Sequence, residues 1–211
     1  MKPEKNPDPP MIFIVLIGLL MVLVMTVLYV LWLLDMFFGD EDFMTSQEAV
    51  QKISQIIVAH DYHHGLLYDL GSCRGGFVLA LQKICPSVRV IGIDNSRLRT
   101  FFARLAAFFQ QRKNSPGFLR ANIFNMDVSR VDMVFVYLPR PLLPALEIKL
   151  QREMRPGSIA ITYRVCFPTW KPSEIFLTDL AAKERNNIFV YQVGLPNAVF
   201  HPDNIVGRQF S

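Results

Sequence analysis

The chain has 211 residues, 51% of them hydrophobic and 19% charged, with a formal net charge of +4 at pH 7. This length fits one ordinary domain with an appendage. The three cysteines are odd in number and have no regular spacing, which excludes a disulfide framework. The chain is only mildly basic, and we expect no nucleic-acid partner.

The N-terminal segment predicts a membrane anchor. Residues 1–10 contain four prolines and are expected to be a disordered tail. Residues 11–34 carry no charged side chain and would form a helix about 36 Å long, enough to cross a hydrocarbon core of about 30 Å. Tyr29 and Trp32 suit the membrane interface. The run is too long for a signal-peptide core and no small-residue cleavage site follows it, so we predict one transmembrane helix.

The remaining residues predict an α/β domain. Residues 35–43 are an acidic linker and residues 44–211 form the domain, which opens with a capping box from Thr45 to Glu48. Strands and helices then alternate, as expected for a Rossmann-like, doubly wound, mostly parallel sheet. The predicted strands are 66–70, 88–93, 118–120, 132–138, 158–163 and 188–193, and the predicted helices are 75–84, 96–112, 141–154 and 173–183.

The most informative motif lies where the first strand meets the first helix of that sheet. Residues 66–76 read Leu-Leu-Tyr-Asp-Leu-Gly-Ser-Cys-Arg-Gly-Gly, a strand that runs into an acid and a glycine-rich turn. Glycine permits positive φ and lets the backbone approach a ligand. Asp94 ends the next strand, where a carboxylate can accept both hydroxyls of a ribose. The loops after residues 70, 93, 120 and 138 are expected to line one cleft.

Two groups of motifs resemble known methyltransferases. The pattern Asp69-x-Gly71-x-Cys73-x-Gly75, together with Asp94 and the run Met-Arg-Pro-Gly-Ser at 154–158, resembles the class I S-adenosylmethionine-dependent methyltransferases. Residues 137–149 and 164–172 are similar to protein-lysine methyltransferases of the family that modifies the c-ring protein of ATP synthase and the adenine nucleotide translocase. Members of that family also carry an N-terminal membrane segment. The resemblance covers residues 43–191.

This resemblance implies S-adenosylmethionine as cofactor and a lysine of a membrane-associated protein as acceptor. The implied cofactor residues are Asp69 and Gly71 at the methionine moiety, Cys73 and Gly75 in the turn, Asp94 at the ribose and Asn122 beside the adenine. The implied substrate mouth contains Tyr137, Pro139, Arg140 and Trp170, the last in the segment 164–170. No metal site is implied.

Four positions depart from the family pattern. Cys73 stands where the turn has its second glycine, Arg74 replaces an acid, Asn122 replaces the acid beside the adenine, and Cys166 replaces a proline. If Cys73 has negative φ the turn survives unchanged, whereas a positive φ would strain it by roughly 1 to 3 kcal/mol.

Three alternatives remain open at this point. The motif around Gly71 and Asp94 half-fits the fingerprint of nicotinamide-dependent dehydrogenases, although its central glycine is missing. The four departures are compatible with a catalytically inactive, membrane-tethered binding module. Within the enzyme class, the acceptor would be a lipid or a small molecule if the anchored domain samples headgroups rather than proteins.

Two further sets of residues carry expectations. The basic residues of the helix 96–112 are interpreted as a solvated face, with anionic headgroups or an acidic partner as the alternative. Phe101, Phe102, Phe108 and Phe109 are expected to pack against the sheet.

Membrane orientation rests on opposing signals. Lys2 and Lys5 precede the anchor and acids follow it, which favours an exported domain. The odd number of cysteines, without the spacing of a disulfide framework, and the cytosolic cofactor favour a domain that faces the cytoplasm, and we adopt this second orientation.

Overall fold

The computed structural model describes residues 9–38, 45–110, 115–177 and 186–194. The chain divides into two compact units, Met1–Asp42 and Phe43–Ser211. The first unit holds helix α1, Pro9–Phe38, which extends beyond residues 11–34 at both ends. Within it, Met11–Leu33 is long and apolar enough to cross a membrane by length and composition, and no part of its most apolar window is buried.

Seven strands and four helices build the described part of the second unit. The strands are β1 Leu66–Leu70, β2 Arg89–Asp94, β3 Gly117–Arg120, β4 Met133–Val136, β5 Ile159–Tyr163, β6 Glu174–Leu177 and β7 Asn187–Gln192. The helices are α2 Gln47–Ala59, α3 Gly76–Ile84, α4 Arg97–Phe109 and α5 Leu143–Glu153, and short 3₁₀ turns span Ile123–Asn125 and Arg140–Leu142.

The strands form one sheet in the order β3-β2-β1-β4-β5-β7-β6. The strands from β3 to β5 are parallel, while β7 runs antiparallel to both β5 and β6. The predicted doubly wound, mostly parallel sheet is therefore confirmed. The strand order reverses between β1 and β4, which is where such sheets bind ligands beyond the carboxyl ends of their strands.

Helices cover both faces of the sheet. One core cluster lies between the sheet and helices α2, α3 and α4, and the other lies between the sheet and α5. All four residues of β4 are buried, as expected for a central strand covered on both sides. This arrangement leaves the carboxyl edge of the sheet as the place where loops can form a site.

Two local predictions were wrong. Ser46, not Thr45, caps α2, since its hydroxyl accepts a hydrogen bond of 3.2 Å from the Ala49 amide. Part of the predicted helix 173–183 is strand β6, because Glu174–Leu177 pairs with β7 in a long-range contact that no local pattern reveals. Residues 178–183 of that prediction lie outside the described residues.

The prediction for the phenylalanines of α4 was also wrong for three of the four. Phe101, Phe108 and Phe109 are exposed and Phe102 is half-buried. The small residues Ala103 and Ala107 make the contact with the core instead.

Candidate functional site

The turn after β1 repeatedly enters the left-handed region. Gly71 has φ 91°, Cys73 has φ 50° and Gly75 has φ 79°. Cys73 therefore follows the strained alternative, because a side chain there disfavours positive φ. The amides of Gly71 and Ser72 donate to the Ile93 carbonyl at 2.8 and 3.0 Å, so the turn is held against the end of β2.

Neighbouring side chains pack closely against the glycines of this turn. A Cβ at Gly71 would lie 2.5 Å from Leu138 Cδ2, and one at Gly75 would lie 2.5 Å from Phe118 Cε1. The side chains of Leu138 and Phe118 therefore occupy the space that a Cβ would need at Gly71 and Gly75. Sequence analysis explained the missing side chains at these glycines by the approach of a ligand. It missed the packing of Leu138 and Phe118, because those contacts join distant parts of the chain.

Asp94 joins the loops at this edge of the sheet. Its carboxylate is buried and accepts the Cys73 amide on Oδ2 at 3.0 Å and the Ser96 amide on Oδ1 at 2.8 Å. Its backbone carbonyl accepts the Ala121 amide at 3.0 Å. A carboxylate can accept about four hydrogen bonds, so binding these two amides is compatible with accepting hydroxyl donors as well.

Asp69 is a second buried carboxyl group near Asp94. Burial raises the pKa of Asp69 from 3.8 to about 8, and the nearby charge of Asp94 acts in the same direction. At pH 7 the group is therefore mainly the neutral acid. A cationic amino group placed beside it would favour the ionised form and pull this pKa down.

Asn122 lies in the loop after β3 and is exposed. Its side-chain oxygen accepts the Phe124 amide at 3.0 Å and so caps the short 3₁₀ turn Ile123–Asn125. An amide oxygen performs this capping role as a carboxylate would, which explains how asparagine is accommodated at the position.

These groups fit an adenosyl amino acid. Helix α3 starts directly after the turn, and its N-cap Gly75 supplies no side-chain hydrogen bond, which leaves the helix start suited to a carboxylate. The Asp94 carboxylate can accept ribose hydroxyls, and Asp69 can ionise beside an amino group. Cys73 contributes its backbone and needs no side-chain contact to do so.

Tyr137 follows β4 at the neighbouring strand end. Its hydroxyl accepts a hydrogen bond of 3.2 Å from Arg164 Nη1, and its ring packs edge-on against Tyr163 at 5.0 Å between centroids. The Arg164 guanidinium carbon lies 5.3 Å from the centre of the Tyr163 ring. Arg164 itself has φ 62°, a left-handed conformation that directs the chain into the following loop.

A cavity of about 420 Å³ lies beside this cluster. It is lined by Arg140, Leu143, Pro144, Arg164, Val165, Cys166, Pro168 and Phe189. Of the four residues predicted for the substrate mouth, Arg140 lines it. Tyr137, Pro139 and Trp170 are not among its lining residues in the described part of the chain, although Tyr137 contacts Arg164 and Pro139 precedes Arg140.

Residues of α5 and β7 that sequence reasoning missed hold the loop 164–170 in place. Buried Glu147 on α5 accepts hydrogen bonds from the amide and hydroxyl of Thr169. The Tyr191 hydroxyl accepts the Phe167 amide at 3.0 Å. Trp170 is buried; its ring stacks on that of Phe167 at 5.7 Å and lies tilted against that of Tyr191 at 5.2 Å between centroids. An acid on an amphipathic helix normally indicates solvent, so no sequence signal separates Glu147 from a surface residue.

Comparison with known proteins shows the family to which the chain belongs. The profile of the ANTKMT methyltransferase domain matches residues 69–174. A protein-lysine N-methyltransferase of Saccharolobus islandicus (strain REY15A) is 22% identical over 157 residues, which cover 71% of this chain and 91% of that protein. The lysine N-methyltransferase of Xenopus laevis named for the c-ring protein of ATP synthase is 27% identical over 112 residues, covering 53% of this chain and 49% of the frog protein. The chain thus spans about half the length of that relative.

A solved structure shares the fold. The RNA methyltransferase from Salinibacter ruber in complex with S-adenosyl-L-homocysteine aligns with a TM-score of 0.61 at 20% identity, over 77% of this chain and 99% of that one. At this identity the likeness establishes the fold alone. The match to the family profile takes the assignment further: the chain belongs to the ANTKMT methyltransferase domain family, whose cofactor is S-adenosylmethionine.

Proposed function

We propose that the protein is an S-adenosylmethionine-dependent protein-lysine N-methyltransferase that acts on a membrane-associated protein. The observation that carries the proposal is the junction at Asp94, where three loops meet beside two carboxyl groups at the reversal of strand order. The lysine acceptor is supported by the names of the two relatives, both of which are lysine N-methyltransferases.

The proposed cofactor site uses the loops of the carboxyl edge. When bound, S-adenosylmethionine supplies a methyl group already activated on a cationic sulfur. Asp94 accepts the ribose hydroxyls, Asp69 ionises beside the amino group, and the turn from Gly71 through Cys73 to Gly75 holds the start of α3 toward the carboxylate. Asn122 borders the adenine. The protein's task is to align the partners and to exclude water.

The proposed acceptor site is the cavity between Arg140 and Arg164. A lysine must first release its proton to solvent so that its nitrogen carries a free electron pair. The bound cofactor would then supply the methyl group, with the electron pair of the S–C bond left on sulfur. Two guanidinium groups beside an entering ammonium favour the neutral amine because like charges lower its pKa. Tyr137 orients Arg164, Pro139 fixes the approach to Arg140, and Trp170 supports the loop.

The point where the chain enters the domain supports a membrane-associated acceptor. Ser46, which caps α2, has its hydroxyl 3.3 Å from the Tyr163 hydroxyl at the end of β5. Tyr163 packs on Tyr137, so the chain enters the domain at the same edge as the proposed acceptor site. The apolar helix α1 precedes this point in the chain, and we propose that the domain faces the cytoplasm and takes its acceptor from the membrane that α1 crosses.

The test reconstitutes the full chain into membranes with S-adenosylmethionine labelled on its methyl group. We expect a labelled lysine in a membrane-associated protein, and at least tenfold less label with Asp94→Asn, since one charge-assisted contact is worth about 1.5 to 3 kcal/mol. Asp127→Asn is the matched control, because Asp127 is an exposed acid that also accepts one backbone amide.

Three outcomes would contradict parts of the proposal. Label in the lipid fraction would identify a lipid acceptor. Absence of both label and cofactor binding would favour the inactive binding module. Equal labelling by Asp94→Asn and the parent would remove Asp94 from the site.

A further inference from the structure

Helix α4 exposes a row of large apolar side chains. Phe101 is 48% exposed, Leu105 37%, Phe108 73% and Phe109 71%. Their spacing of four, three and one residues places them along one side of the helix. The helix meets the sheet through Ala103 and Ala107, so the large residues are not needed for packing. We call these four residues the α4 stripe.

The surroundings of the α4 stripe are positively charged. The helix contains no acidic residue, and two of its three arginines, Arg97 and Arg104, are exposed, whereas Arg99 is buried. Arg97 is exposed one helical turn before Phe101, on the same side of the helix. Arg104 is exposed and fixed, because its Nε and Nη2 donate to the Phe118 carbonyl at 3.0 and 2.9 Å. The stripe is therefore an apolar surface with cations at its margin.

We propose that the α4 stripe docks on the surface of a bilayer that contains anionic lipids. Aromatic and aliphatic side chains enter the boundary between headgroups and acyl chains, while the arginines contact lipid phosphates. A second copy of this chain fits less well, because a two-fold contact through the stripe would bring like charges together.

A bilayer is available to this chain, because Met11–Leu33 is long and apolar enough to cross a membrane by length and composition. The inference concerns membrane contact and does not depend on the proposed methyl transfer.

The test places the photoreactive residue p-benzoyl-phenylalanine at position 108 of the full chain, where it replaces an exposed phenylalanine of similar shape. The chain is mixed with vesicles of phosphatidylcholine and phosphatidylglycerol and irradiated. The control carries the same residue at position 148, since Ile148 is 65% exposed on α5, across the sheet from α4. Adducts are identified by mass spectrometry.

We expect lipid adducts at position 108 that exceed those at position 148 severalfold and increase with the fraction of phosphatidylglycerol. Arg97→Glu should lower the adduct yield at position 108 about thirtyfold, because the change alters the charge by two units and each unit near an anionic surface is worth about 1 kcal/mol. Equal yields at the two positions, no adduct with lipid, or adducts at position 108 to protein instead of lipid would each overturn the inference.

Discussion

Cys73→Gly tests whether the turn after β1 is strained. Cys73 has φ 50°, and a residue with a side chain loses roughly 1 to 2 kcal/mol in this region. Glycine removes that strain but adds about 0.5 to 1 kcal/mol of unfolded-state entropy. The net expectation is a gain of about 0.5 to 1 kcal/mol in the free energy of unfolding. For a chain of this size, that gain corresponds to a rise of about 2 °C in Tm.

The assay is thermal unfolding of the full chain in detergent, with two companion variants. Cys73→Ser keeps a side chain and removes the thiol, so it should unfold close to the parent temperature. Cys73→Val should unfold earlier, because a β-branched residue tolerates positive φ poorly. If Cys73→Gly lowers Tm while Cys73→Ser leaves it unchanged, the turn is not strained and the reasoning fails.

Three further predictions concern the charged residues Asp69, Arg164 and Glu147. The pKa of Asp69 is about 8 in the folded state against 3.8 ordinarily, so the folded chain retains a proton that the unfolded chain loses, and the free energy of unfolding falls as pH rises from about 4 to 8. Asp69→Asn should flatten this pH dependence, measured by urea unfolding at a series of pH values. An unchanged pH dependence would contradict the assignment. Arg164→Gln should shift the pH profile of lysine methylation to higher pH, because the acceptor then loses one neighbouring cation; a fall in rate without a shift would mean that Arg164 acts only in packing. Glu147→Ala should lower the free energy of unfolding by about 1 to 3 kcal/mol by leaving the Thr169 donors unpaired, and chemical unfolding that matches the parent would show that the loop is held otherwise.

The sequence predicted the parts of the fold that depend on local pattern. Apolar runs and the glycine turn indicated the parallel strands, and Asp94 was correctly placed at the end of β2. Prediction failed where distant pairing decides the structure. Residues 174–177 form a strand because β7 lies beside them. Three of the four phenylalanines of α4 are exposed because alanines already fill the contact with the sheet.

Within the candidate site, sequence reasoning predicted roles for residues by their type and missed residues that contribute through their position in the fold. The turn glycines, Asp69 and Asp94 carry their chemistry in a short motif. Leu138, Phe118 and Glu147 have ordinary identities, and only the fold brings them against the turn and the loop 164–170. The bond from Cys73 to Asp94 is likewise invisible in the motif.

Three hydrogen bonds at Asp94 are made with main-chain amides. Because the donors are the peptide amides of Cys73, Ser96 and Ala121, these hydrogen bonds require no particular side chain at those positions, provided that none is proline. Side chains can therefore change in these three loops while the spacing between the loops is preserved. Cysteine in place of glycine at position 73 strains the turn, yet its main-chain amide still donates to Asp94.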